Sequence, residues 1–452
     1  MNFSGYLINM LQSGFSGLAA YLAAHVLLCL LPAFFIAGAM AALLPKEVIT
    51  RFLGRDTPVW ISYPASALSG FLLAVCSCTI MPLFASIYKK GAGLGPAITF
   101  LFVGPAVNIL AISFTGVQIG LDIALARVLL SILFGILIGL LMAWIFRKDD
   151  AAHAEETNNS QLFSGKAQIS LHIIVFFILL LGILLAGTLQ IGLFRNVFYE
   201  FMLPGKWATA LQAWLDMLIP PDPGLGIEGV SVQGLFLIAL LILIAVTSIK
   251  GFKNISEGFT VWTYITLGLI TLTLIFASFS VTTHTQGVMI GLTGRWLAEV
   301  IFLGTTWWVT ATAFTTYERQ EWLWETWRFV RQIIPLLLVG VFLASVARTL
   351  IPPVWIQTLA GKNTVWANLA GVVFGVFMYF PTLVEVPVAQ TFLSLGMHRG
   401  PLLAYLLADP ELSLQSILIT NTIIGKKKTA VYVVLVSIFS TLAGVIFGWF
   451  IR

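Results

Sequence analysis

GFLLAVCSCTIMPLFASIYKKGAGLGPAITFLFVGPAVN, residues Gly70 to Asn108, is apolar enough to cross a bilayer, yet it is interrupted at Cys76-Ser77-Cys78, Pro82, Gly91-Ala92-Gly93, Gly95-Pro96 and Gly104-Pro105. Each proline removes an amide donor, and each glycine costs a helix interior about 1 kcal/mol relative to alanine. A packed soluble helix would not carry so many interruptions. In a bilayer, broken backbone survives only where protein or a water-filled cavity satisfies it. The stretch therefore reads as the lining of a permeation site.

The bulk composition agrees. The 452 residues are 59% hydrophobic and only 10% charged, with a mean hydropathy of +0.98, against roughly 25% charged residues in soluble domains. One polytopic membrane domain is expected. The formal net charge of +5 would suggest nucleic acid in a soluble protein, but here the excess Lys and Arg sit in short loops between spans. That placement reports topology, and no nucleic-acid partner is expected. Three cysteines cannot build a disulfide framework. The start of the chain lacks the basic and short apolar regions of a cleavable signal, so its first apolar segment is expected to remain as a span.

In order, the first unit has spans at Gly17–Leu44, Trp60–Val75, the short Thr79–Tyr88, the kinked Leu94–Phe114, and Ile119–Phe146. Asp149 to Lys166 has no hydrophobic periodicity and reads as a solvated linker. Four accessory spans follow at Ile169–Leu193, Leu235–Ile249, Phe259–Phe279 and Gln286–Ala313. Between the first two, Trp207, Leu211, Trp214 and Leu218 recur at helical spacing, as in an amphipathic helix lying at the interface. An outside N-terminus puts Lys46, Arg51, Arg55, Lys89, Lys90, Arg147, Lys148 and Lys166 all inside. Arg319, Arg328 and Arg331, interleaved with Trp322, Trp324 and Trp327, form an inner-face collar before the next span.

Adding 305 to Gly70, Pro82, Gly91, Gly95, Pro96 and Pro105 gives Gly375, Pro387, Gly396, Gly400, Pro401 and Pro410, all matching in type. Pro45 and Gly54 correspond to Pro352 and Gly361 at an offset of 307. Such an internal repeat is the feature that transporter sequences most often carry. Nine spans precede the second copy by this count, so it starts on the opposite side and is inverted. The expected fold is thus an all-α polytopic membrane protein with two inverted-topology repeats, short or broken helices at mid-membrane and about 14 spans. Residues 1–148 form the first transmembrane repeat, 149–168 a cytoplasmic linker, 169–318 accessory spans with an outer-face insertion, and 319–452 the second repeat.

Cys76 and Cys78 read either as soft ligands or as small packing residues. Positions i and i+2 of a regular helix diverge by about 200°, so the thiols converge only where the helix unwinds. Asn108, one turn or less beyond Gly104-Pro105, either satisfies carbonyls freed by the kink or contacts solute. Ser77, Pro82, Pro105 and Thr382, the last in the PTLVEVP run, complete the candidate substrate-facing set. Glu385 in that run, Asp409 and Glu411 beside Pro410, and Arg127 within the fifth span are intramembrane charges. Each carboxylate costs roughly 3 kcal/mol to insert. Glu385, Asp409 and Arg127 are the proton-coupling candidates, with a structural ion pair as the alternative for Arg127 and a solvated position as that for Asp409 and Glu411. Arg295 and Glu299, four apart, read as a structural ion pair. His25 and His284 are single histidines in apolar spans and carry no assigned role. No phosphate loop, metal-ligand helix motif or nucleophile elbow is present in the sequence, so no enzyme activity, metal or cofactor is expected.

The stretch CSCTIMPLFASIYKKGAGLGPAITFLFVGPAVN resembles the signature of predicted permeases related to the organoarsenical-efflux permeases. GVFMYFPTLVEVPVAQ through ADPELSLQ is similar to that family's C-terminal half. The resemblance covers about Leu31–Thr115 and Ile334–Ile417, and does not extend to Ile191–Tyr317. It implies a multi-pass inner-membrane secondary transporter exporting a small soft or thiol-reactive solute such as a trivalent organoarsenical. The expected partners are that solute and membrane lipid, with the oligomeric state open. A membrane-embedded thiol- or sulfur-handling protein and an ion channel remain as alternatives. The one-residue cysteine spacing argues against the first, and broken helices with intramembrane carboxylates argue against the second.

Overall fold

The computed structural model describes residues 3–24, 28, 30–44, 46–73, 77–107, 112, 115–116, 118–159, 170–189, 192–205, 207–220, 229–253, 255, 258–284, 287–350, 353–377 and 382–450. The first unit comprises α1 (Phe3–Ala24), α2 (Leu31–Leu43), α3 (Lys46–Leu53), α4 (Val59–Leu73), α5 (Ser77–Lys89), α6 (Leu94–Ala106) and α7 (Leu121–Ile145). After α8 (Arg147–Asn159), the middle region runs α9 (Leu171–Thr188), α10 (Gly192–Arg195), β1 (Val197–Pro204), α11 (Trp207–Leu218), α12 (Val232–Phe252) and α13 (Val261–Ala277). It ends with β2 (Ser280–His284), β3 (Gly287–Thr293) and α14 (Gly294–Ala313). The second unit is α15 (Thr316–Leu350), α16 (Pro353–Ala360), α17 (Val365–Phe377), α18 (Thr382–Ser394), α19 (Arg399–Leu412), α20 (Leu414–Ile424) and α21 (Lys426–Phe450).

A membrane body follows from which faces are bare. On α7, Leu121, Leu125, Leu129 and Leu133 are 51–71% exposed in one stripe, while Arg127, Ser131, Gly135 and Gly139 are buried on the other. A water-soluble helix would have the reverse pattern; here the leucines meet lipid. Five described helices are long and apolar enough to cross a bilayer, and α19 with α20, bent by 46°, makes a sixth. Both α6 and α19 are buried on every side. They form the centre around which the other helices pack.

Contacts recur at the same offset. The helices α5 and α18, 13 residues each, start at Ser77 and Thr382 and end at Lys89 and Ser394; α7 and α21 are 25 residues each and begin at Leu121 and Lys426. Gly91 and Gly396 both have φ of 94°, in the left-handed region where a side chain is strained. The next amides repeat too: Ala92 N–H donates to Ile87 O at 3.1 Å and Met397 N–H to Phe392 O at 2.9 Å. A Cβ on Gly139 would lie 2.6 Å from Gly95 O, and one on Gly444 2.6 Å from Gly400 O. These glycines let α6 cross α7, and α19 cross α21, at backbone contact.

Several boundaries differ from the sequence reading. The expected span Gly17–Leu44 is divided into α1 and α2, with Pro32 near the start of α2. The expected span Gln286–Ala313 opens as a strand: β1, β3 and β2 form a three-stranded antiparallel sheet in that order, and Thr293 then caps α14 through its hydroxyl. The amphipathic segment is a helix, Trp207–Leu218, packed on β2 and β3. Residues 149–159 of the expected solvated linker are helical, part of α8, and Asp150 docks rather than floats. Its Oδ1 accepts from Leu94 N–H at 2.8 Å, capping α6. Arg295 and Glu299 lie within electrostatic range of one another, as expected of a pair on one helix face, but without a direct hydrogen bond: neither Glu299 oxygen nor Arg295 Nε has a hydrogen-bond partner among the described residues.

Candidate functional site

The site assembles where the buried central helices end. A helix leaves its last carbonyls without intrahelical donors, and α6 ends beside Pro105 with Ala106 O free to accept. Arg127 Nε donates to it at 3.2 Å. Arg127 is fully buried on α7, and its Nη2 meets Glu385 Oε2 at 3.0 Å. Glu385 lies in the first turn of α18, where exposed amides favour a negative charge. One side chain of the first unit thus ties the end of α6 to the start of a short helix of the second.

The second unit builds the counterpart from different chemistry. Adding 305 to Ala106 gives Glu411, and to Arg127 gives Tyr432. Tyr432 OH donates to Glu411 Oε2 at 2.9 Å, both fully buried. Glu411 also lies within electrostatic range of Arg127 and Glu385. The glycine lattice makes room for this. A Cβ on Gly375 would lie 3.0 Å from Asp409 N, and one on Gly70 3.0 Å from Gly104 N, the equivalent atom. Beyond Glu411 the chain turns at Ser413, whose hydroxyl accepts from Ser416 N–H at 3.3 Å and starts α20.

The structure therefore brings together Arg127, Glu385 and Glu411, with Asp409 on the same turn of α19, and Pro105 next to the accepting carbonyl. Asp409 and Glu411 are buried, not solvated. Pro82 is buried within α5, a helix that continues through it. Ile80, the counterpart of Glu385, packs toward Gly104. Cys76 and Asn108 lie outside the described residues, as do the side chains of Ser77, Cys78 and Thr382. Tyr432 was not singled out by the sequence reading; carrying the 305 offset past the proline motifs would have found it opposite Arg127. Among the described residues, Arg127 Nη1, Glu385 Oε1 and Glu411 Oε1 have no hydrogen-bond partner. Three unsatisfied polar atoms in one buried cluster are a place for a ligand or a moving proton.

The two ends of α7 close the site differently. Near its C-terminus, Asp150 contacts the start of α6 and lies 3.9 Å from Arg55, while His153 stacks on Tyr88 at 4.2 Å. Burial raises the Asp150 carboxyl above the ordinary range, opposed by the Leu94 amide and then by Arg55, His153 and Lys428. At its N-terminus, Asp122 pairs with Arg399 at 2.9 Å, and Arg399 also donates to Ile119 O at 3.2 Å. Leu94 and Arg399 begin α6 and α19 and stand 305 residues apart.

The model of a family described as predicted permeases, ArsP_1, matches residues 12–167 and 236–449. The UPF0718 protein MJ0584 of Methanocaldococcus jannaschii is 32% identical over 452 residues, spanning the whole of both chains. No solved structure matches the chain. With the family model covering most of both repeat units and the relative aligned end to end, the chain belongs to the ArsP_1 family of predicted permeases.

Proposed function

We propose that this permease is a secondary transporter of the plasma membrane that exports a small thiol-reactive solute, with a trivalent organoarsenical as the first substrate to test. The observation that carries the transport reading is the buried Arg127–Glu385–Glu411–Tyr432 cluster at the ends of α6, α18 and α19. It sets two carboxyls, Glu385 and Glu411, against one guanidinium. Uncompensated charge is costly in a bilayer, so the cluster reaches neutrality by holding protons or a cationic group. Protonating Glu385 removes its attraction for Arg127 and frees the start of α18 from the end of α6. A carrier needs such a two-state contact between its halves.

In the same reading the halves are inverted repeats within about 14 spans. Support comes from Leu94 and Arg399, equivalent residues anchored at opposite ends of the consecutive helices α7 and α8, Leu94 by Asp150 in the first turn of α8 and Arg399 by Asp122 in the first turn of α7. The equivalent rings Phe134 and Phe439 also meet at 5.1 Å, as residues astride a twofold axis do. The organoarsenical assignment rests on the family resemblance and on the two thiols of the Cys76-Ser77-Cys78 run.

Purified protein in liposomes tests the whole. Uptake of a trivalent organoarsenical driven by an imposed proton gradient is the expected result. Gradient-driven exchange of other solutes alone would remove the arsenical, and a solute-independent ion current would replace the carrier with a channel.

A further inference from the structure

A second buried carboxyl lies apart from the Arg127 cluster, in the middle region. Glu299, in the second turn of α14, is wholly buried, and neither of its oxygens has a hydrogen-bond partner among the described residues. Its helix packs on α9, and α9 packs in turn on α2. Near the end of α9 stands Gly187, also buried, and the space its missing side chain leaves shows what faces Glu299. A Cβ there would lie 2.6 Å from Leu28 O and 3.3 Å from Glu299 Oε1. A carboxyl of the middle region and a main-chain carbonyl of the first unit therefore converge on one small gap.

Leu28 stands four residues before Pro32, so the amide that an α-helix would offer its carbonyl does not exist. Two acceptors that converge in a buried gap need a hydrogen between them, or both stay desolvated and unpaired there. Arg295 does not supply it. That side chain is half-buried one turn earlier on α14, within electrostatic range of the carboxyl but not hydrogen-bonded to it. Beyond it Arg195 of α10 acts on Arg295. The other neighbouring helices bring no charge: α1, α2 and α13 hold no acidic, basic or histidine residue. The histidine of α9, His172, is at the opposite end of that helix from Gly187. His25 lies outside the described residues.

We propose that Glu299 is a proton-binding site, separate from the Arg127 cluster, whose protonated carboxyl donates to Leu28 O. The proton adds one O–H bond to the carboxyl, and that bond satisfies both oxygens, whereas a hard metal ion asks for about six oxygen ligands. When occupied, the site ties α14 to the chain just before α2. Because α2 packs on α5 of the first unit and on α15 of the second, the proton steadies a helix that touches both.

Purified protein in nanodiscs tests this with no solute present, so the result does not depend on what the permease carries. Dicyclohexylcarbodiimide, which reacts with protonated carboxyls in apolar surroundings, is expected to modify Glu299, less as pH rises and equally in sodium and choline chloride. The infrared band of protonated carboxyls is expected to lose one pH-dependent component in Glu299→Gln. Gln keeps the size and donates an N–H to Leu28 O, so that variant is expected to hold the parent's thermal midpoint. Gly187→Ala, which parts the two oxygens, is expected to move the same component to higher frequency. A Glu299 that takes neither the reagent nor a proton at any pH at which the protein stays folded would overturn the site. Suppression of labelling by sodium would replace the proton with a metal cation, and a component unmoved by Gly187→Ala would overturn the bond to Leu28.

Discussion

The chemistry of the site rests on one buried ion pair, and its two members are not equally replaceable. Removing one partner of such a pair costs about 3–5 kcal/mol, because the other charge stays buried. Gln at position 385 keeps an oxygen to accept from Arg127, so Glu385→Gln is expected to fold and to retain solute exchange while losing gradient-driven transport. Uphill transport at the parent rate would remove Glu385 from coupling. The cysteines test the substrate. Positions i and i+2 of a regular helix diverge, and a carrier must also release its cargo. Cys76→Ser and Cys78→Ser are expected to reduce resistance to a trivalent organoarsenical unequally in a sensitised host, with one severe. Equal and complete loss would indicate two-thiol chelation, and no loss in the double variant would make the thiols packing residues.

Among the elements, the helix crossings depend on glycine. Gly139 and Gly444 face the carbonyls of Gly95 and Gly400, so an added methyl forces the helices apart. Gly139→Ala and Gly444→Ala are each expected to cost about 1–3 kcal/mol, measured as a lower thermal midpoint in detergent. Gly268→Ala and Gly304→Ala, with open space at both helical positions, serve as controls in which the midpoint is expected to stay or rise. The docked helix α8 makes a pH-dependent contribution. Because the folded Asp150 carboxyl is raised by burial, the fold holds its proton more tightly than the unfolded chain does. Stability is then greatest below the unfolded value of about 3.9 and declines as pH rises through the raised folded value. Asp150→Asn keeps an acceptor for the Leu94 amide and is expected to flatten that decline. A thermal midpoint with the parent's pH slope in the variant would assign the effect to another group.

At the scale of the molecule, the proposed inverted arrangement predicts sidedness. Lys90 and Leu395 are equivalent positions at the ends of α5 and α18, and Leu395 is exposed. An impermeant maleimide is expected to label Leu395→Cys in intact cells and Lys90→Cys only after permeabilisation. Labelling of both from one side would make the repeats parallel.

Membrane class and the repeated motif were legible in the sequence, because hydropathy and glycine chemistry act locally: Gly91 and Gly396 carry the same backbone demand in any surroundings, whereas Pro82, expected as an interruption, lies inside the continuous helix α5. Glu385 and Arg127 were legible as costly charges. Their pairing across 258 residues was not, since a partner is chosen by how helices cross. For the same reason Tyr432 passed as an apolar-span tyrosine until α21 set its hydroxyl against Glu411. The helix at 147–159 and the sheet at 280–293 escaped a reading based on hydrophobic period. One is held by a carboxylate capping a distant helix and the other by strands far apart in the chain, and neither signal exists before the chain has folded.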